Sequence, residues 1–154
     1  MAHRPQQRSV LCLQGRGCVT IPEDARQPID HQEPWVGIVD DDASLRTALA
    51  RVLRGNGIRV EAFESAEEFL QRTVAGEPDC LVLDIHLAGI SGFELQDLLA
   101  SRGAEPPIIF ITGHDDLLPE RARIHRTSGL LRKPFDSNAL VALIRRHLRA
   151  ALLD

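Results

Sequence analysis

The stretch 80-CLVLDIHLAGISG-92 runs apolar from Cys80 to Leu83. It then sets one carboxylate, Asp84, at the head of a loop that contains Gly89 and leads to Gly92. An unbroken apolar run bounded by turn residues suits a strand covered on both faces, because a half-buried strand would alternate. Asp84 then stands where that strand leaves the core. A charge at such a place needs partners, and other segments of the chain supply them.

Two further runs have the same character, 35-WVGIV-39 and 107-PIIFIT-112, and two mixed ones also read as strands, 58-IRVEAF-63 and 129-GLLRK-133. Helical patterns lie between them. Leu45, Leu49, Val52 and Leu53 recur at helical spacing in 43–57, which closes on Gly55 and Gly57. The segments 65–76 and 91–103 each open with a capping box, Ser65 with Glu68 and Ser91 with Glu94. A weaker helix is expected over 116–127, with Pro119 near its start, and a long amphipathic one over 137–153. Five strands alternating with five helices predict right-handed crossovers and a parallel sheet with helices on both faces. The aliphatic strands take the centre and the mixed ones the edges. The expected fold is thus α/β, a doubly wound, flavodoxin-like sheet of order 2-1-3-4-5. Strands 1 and 3 flank its switch point, and a ligand site belongs beyond their carboxyl ends.

The chain has 154 residues, 44% hydrophobic and 26% charged, which suits one or at most two domains with a substantial core. Its net charge of −4 arises within residues 35–154, because residues 1–34 balance four Arg against four Asp and Glu. No basic run or basic surplus points to nucleic acid. The three cysteines, Cys12, Cys18 and Cys80, are odd in number and lack zinc-knuckle spacing, which argues against a disulfide framework and a zinc site. Cys80 reads as a small buried hydrophobe. No window approaches the ~20 apolar residues of a membrane span, and "SVLCL" is too short for a secretory signal. The expected compartment is the cytoplasm. Residues 1–34 hold four of the nine prolines and no sustained period. They are expected to form a disordered or loosely ordered extension, with "VLCL" and "CVTI" as candidate short strands, ahead of one domain over 35–154.

The strand ends carry the chemistry. Strand 1 ends in Asp40, Asp41 and Asp42, strand 3 in Asp84, strand 4 in Thr112-Gly113-His114, and strand 5 in Lys133-Pro134. Neighbouring strands bring the carboxylates together, and converging carboxylates repel unless a cation lies between them. Oxygen ligands at a compact site suit Mg²⁺ or Mn²⁺. Asp42 serves equally well as a helix-capping acid. A carboxylate, a divalent cation, a hydroxyl from Thr112 and an ammonium from Lys133 together can hold a phosphoryl group and offset its charge during transfer.

Residues 35–154 resemble the response-regulator receiver domains of two-component signalling. The matching segments are "VDDD" at 39–42, "LVLDIHLAGISG" at 81–92, "IFITGHDD" at 109–116 and "LLRKPF" at 130–135. The resemblance implies that Asp84 accepts a phosphoryl group from a phosphohistidine on a sensor histidine kinase or phosphotransfer protein. It implies Mg²⁺ at Asp40, Asp41, Asp84 and the His86 backbone carbonyl. Thr112 and Lys133 would contact the phosphoryl group, and the Lys133–Pro134 bond would be cis. Three departures stand out: Ala88 replaces a usual proline, Leu130 replaces a usual aromatic switch residue, and "RTSG" replaces a usual Gly-Ala turn. His86 and His114 flank the site and are candidates for tuning the lifetime of the acyl phosphate.

The reading is therefore a stand-alone receiver that catalyses its own phosphorylation and dephosphorylation and is otherwise not an enzyme. It would signal through an unidentified downstream protein, with a homodimer as a further option and no direct contact with nucleic acid or membrane. Two other classes compete. One is an interaction module with the same fold that is never phosphorylated. The other is an aspartyl phosphatase, which would want an acid two residues after the nucleophile, where this chain has His86.

Overall fold

The structure, a computed structural model, describes residues 10–12, 18–20, 33–73, 76–113 and 127–153. The chain divides into two compact units, Met1–Glu33 and Pro34–Asp154. In the first, β1 (Val10–Cys12) pairs antiparallel with β2 (Cys18–Thr20). Both fall on the candidate strands "VLCL" and "CVTI".

The second unit runs β3 (Trp35–Val39), α1 (Ala43–Gly55), β4 (Arg59–Phe63), α2 (Ala66–Arg72), β5 (Cys80–Asp84), α3 (Gly92–Ser101), β6 (Ile108–Thr112), β7 (Gly129–Arg132) and α4 (Ser137–Leu153). The five strands form one parallel sheet of order β4-β3-β5-β6-β7, which is the expected 2-1-3-4-5. Four helices are present among the described residues of this unit. The fifth expected helix, at 116–127, falls almost entirely on residues 114–126, outside the described residues.

The unbroken apolar strands follow from burial on both faces. Every residue of β3, β5 and β6 is buried, and alternate residues feed opposite layers. Leu81, Leu83, Ile108 and Phe110 pack with Phe63, Phe69, Phe93 and Leu95 beneath α2 and α3. Val36, Ile38, Val82, Ile109 and Ile111 pack with Leu49, Leu53, Leu140 and Ile144 beneath α1 and α4. The mixed strands β4 and β7 are the edges, where one flank is free of a neighbour.

Local capping sets where the helices start. Asp42 Oδ1 accepts from the N–H groups of Ser44 and Leu45 at 2.9 and 3.2 Å and so caps α1. Ser91 and Glu94 make the full reciprocal box at α3. At α2 the expected box is altered. Ser65 Oγ accepts from Glu68 N–H at 3.0 Å, but Glu68 Oε2 reaches Glu64 N–H at 2.8 Å instead of the cap residue. Below the sheet, Trp35 and Asp79 exchange two 2.9 Å hydrogen bonds that fix the start of β3. Cys80 is fully buried; burial first, then the Asp79 charge, pushes its thiol up to about 12.

Candidate functional site

The carboxyl ends of β3, β5, β6 and β7 open on one side of the sheet. Asp40 follows β3 and is 0% exposed, and Asp84 closes β5 at 4% exposed. Thr112 ends β6 and is also buried. Lys133 follows β7, and its N–H donates to the Thr112 carbonyl at 2.7 Å, which carries the β6–β7 ladder one step further. The Lys133–Pro134 peptide is cis, as the resemblance implied. Asp41 is exposed at the mouth.

Lys133 is where the charges converge. Its Nζ lies 3.0 Å from Asp84 Oδ2 and 3.1 Å from Asp40 Oδ2. Asp84 Oδ1 accepts from the His86 N–H at 3.0 Å, and Asp40 Oδ1 accepts from the Asp42 N–H at 2.9 Å. Burial raises the Asp84 carboxyl above its ordinary value, the nearby Asp40 charge adds to this, and the Lys133 and His86 bonds pull against it. For Lys133, burial opposes the charge. The bonds to Asp84 and Asp40 outweigh it and hold the ammonium above its ordinary value.

These residues fit a hard divalent cation. One oxygen each from Asp40, Asp41 and Asp84 lies within 4.8 Å of the other two. Asp40 Oδ2 is buried without a directed hydrogen bond; the charge facing it is the Lys133 ammonium. An all-oxygen set whose buried carboxylates are offset by a single ammonium suits Mg²⁺ or Mn²⁺. The His86 side chain is exposed at the rim. His114 lies outside the described residues.

Three contributors escaped the sequence reading. Arg46, one turn into α1, donates from Nη1 to the Asp40 carbonyl at 2.7 Å. Gly92 packs so closely under Asp84 that a Cβ there would sit 2.5 Å from the Asp84 carbonyl oxygen. Glu67 on α2 reaches the β5–α3 loop, where its Oε1 accepts from the Ile90 N–H at 3.1 Å. Arg46 falls within one turn of the helix start and was open to local inference. The Glu67 contact spans 23 residues and left no local trace.

A sheet of this order with these strand-end residues matches a known family over most of the unit. Residues 36–145 match the response regulator receiver domain. The chain belongs to that family. This receiver domain is 43% identical over 107 residues to nodulation protein W of Bradyrhizobium diazoefficiens, covering 69% of this chain and 47% of that protein. It is 39% identical over 114 residues to the transcriptional regulatory protein FixJ of Azorhizobium caulinodans, covering 73% and 54%. Among solved structures, a receiver protein from Burkholderia phymatum aligns with a TM-score of 0.66 at 39% identity, over 75% of this chain and 94% of that one. FixJ-N aligns at 0.69 and 33%, over 77% and 95%. The chain spans about half the length of these curated relatives. No helix among the described residues is long and apolar enough to cross a membrane.

Proposed function

We propose that this receiver domain is a phosphoacceptor, with Asp84 taking a phosphoryl group from a phosphohistidine of a sensor kinase or phosphotransfer protein. The observation that carries the reading is the placing of Asp84 and Asp40, at the sheet's switch point, each within about one hydrogen-bond length of Lys133 Nζ. An Asp84 carboxylate oxygen forms the new O–P bond as the donor's P–N bond breaks. The imidazole leaves with the bonding pair and takes up a proton from solvent. Lys133 turns its ammonium from the carboxylate to a phosphoryl oxygen, and Thr112 offers its hydroxyl to another. Held by Asp40, Asp41, Asp84 and the His86 carbonyl, Mg²⁺ or Mn²⁺ would offset the charge that spreads over the phosphoryl oxygens.

Hydrolysis by water returns Asp84 to its carboxylate, so the domain turns over its own phosphate and acts on no other substrate. His86, and His114 by its place in the sequence, border the site and tune water access. The signal passes by protein contact to a downstream partner or a second copy of the chain, in the cytoplasm and without direct nucleic-acid binding. One observation favours a second reading, an interaction module that is never phosphorylated. Leu130, half-buried in β7, packs against the core in place of a switch aromatic.

The deciding experiment is incubation with a small phosphoryl donor and Mg²⁺, followed by intact mass measurement. One phosphoryl adduct on the wild type and none on Asp84→Ala supports the reading. No adduct on the wild type favours the interaction module.

A further inference from the structure

We propose that Glu67 is a positioning residue for this site: its carboxylate clamps the β5–α3 loop from outside and thereby sets how tightly a divalent cation is held at Asp84. The proposal rests on the function just argued. Residues 85–91 join Asp84 to α3 and contain His86, whose carbonyl that reading assigns to the cation. Five N–H groups from Ile85 to Gly92 have partners in the fold, and the first, Ile85, donates to the Ile111 carbonyl at 3.0 Å where the β5–β6 ladder ends. His86 donates to Asp84 Oδ1 at 3.0 Å, Ile90 to Glu67 Oε1 at 3.1 Å, Ser91 to Glu94 Oε2 at 2.9 Å and Gly92 to the Ile85 carbonyl at 3.0 Å. Past Ile85, the bond to Glu67 is the one that comes from an element other than β5 and α3, which the loop joins.

Its seat is shaped for a carboxylate. Gly89 has a φ of 80°, and a Cβ there would stand 2.6 Å from Glu67 Oε1. The carboxylate occupies the space that a side chain at 89 would need. The Ile90 bond holds the Glu67 carboxyl below its ordinary value, as a charge-assisted bond to a backbone donor should. Glu67 itself stands on a firm base, between Ala66 at 0% and Phe69 at 1% exposure. Ala88, next to the glycine, fixes no φ of its own, so restraint on the loop has to come from contacts such as this one. A loop ordered in advance spares the cation the cost of ordering it on binding. Groups that orient ligands from behind change metal affinity in this way.

The test uses the full chain as wild type, Glu67→Ala and Glu67→Gln. Amide hydrogen exchange on the metal-free protein reads the clamp directly. The Ile90 amide of Glu67→Ala should exchange about ten-fold faster or more, with Glu67→Gln in between because it keeps an acceptor oxygen. Calorimetric Mg²⁺ titration reads the consequence. Glu67→Ala should weaken the Kd by about ten-fold, with Glu67→Gln nearer the wild type and the melting temperatures close together. Unchanged Ile90 exchange, or faster exchange with an unchanged Mg²⁺ Kd, overturns the proposal. A wild type that binds no Mg²⁺ overturns the function it rests on and the cation half of the proposal with it. In that case Glu67-dependent exchange at Ile90 would still establish the clamp.

Discussion

Lys133 Nζ lies 3.0 Å from Asp84 Oδ2, although 49 residues separate the two in sequence. The same nitrogen holds Asp40 Oδ2 at 3.1 Å. One ammonium thus offsets two buried carboxylates, and it stands where a divalent cation or a phosphoryl group would compete for them. The first prediction below follows from the burial of Asp84 and the second from that competition.

Asp84 is raised above its ordinary pKa by burial, so its ionised form costs stability in the metal-free protein. For a group whose folded pKa is raised, the stabilising contribution is complete below the unfolded pKa and is lost as pH rises through the folded value. Asp84→Asn should therefore raise the melting temperature at pH 7 without Mg²⁺. The gain should shrink toward zero as the pH falls toward about 4. Thermal unfolding from pH 4 to 8 checks this, and a variant less stable than wild type at pH 7 contradicts it.

Removing the ammonium should have opposite effects on the metal-free and the metal-bound protein. Lys133→Ala leaves two buried carboxylates facing each other and should cost about 1–3 kcal/mol without metal, below the usual figure for a broken buried pair because Lys133 is a quarter exposed. With the competitor gone, Mg²⁺ should bind roughly two- to ten-fold more tightly. Denaturant unfolding and Mg²⁺ calorimetry measure the two effects, and weaker Mg²⁺ binding would argue against the competition.

Gly92 tests the backbone beneath Asp84. A Cβ at this position meets the Asp84 carbonyl oxygen at 2.5 Å and the Ile85 Cα at 3.0 Å, and neither is the end of a flexible side chain. Gly92→Ala should cost about 1–3 kcal/mol through backbone displacement and weaken Mg²⁺ binding as Asp84 moves. Urea unfolding that gives a wild-type midpoint would mean that the approach is not as close as described.

Cys80 gives a test far from the site. Burial carries its thiol from the usual 9.0 to about 12. The neutral thiol therefore contributes stability in full below about pH 9, and that stability drains away as the pH rises toward 12. Cys80→Ala should flatten the alkaline fall in stability over this window, whatever constant offset the lost sulfur adds. Parallel alkaline slopes for the two proteins would contradict this placement.

The extent to which the sequence foretold this structure follows physical lines. The sheet order was legible because Leu81–Leu83 and Ile108–Ile111 are apolar without alternation, and only strands covered on both faces can be so. The grouping of Asp40, Asp84, Thr112 and Lys133 at one edge followed from that order, since parallel strands bring all their carboxyl ends to one side. The second half of the α2 box was misplaced by one residue, because Ser-x-x-Glu spacing does not decide which upstream N–H the Glu68 side chain will take. Glu67 and Gly92 were invisible for a different reason. Their roles depend on close approach between segments distant in sequence or tightly folded in space, and neither residue type announces it.

The central claim is that Asp84 carries the phosphoryl group. The most direct test is to treat the protein with a small phosphoryl donor and Mg²⁺ and reduce the product with borohydride. An aspartyl phosphate becomes homoserine, which tandem mass spectrometry can locate. The account predicts homoserine at position 84, dependent on Mg²⁺ and lost in Asp84→Asn. Homoserine at another aspartate, or at 84 to the same extent without a divalent cation, would contradict it.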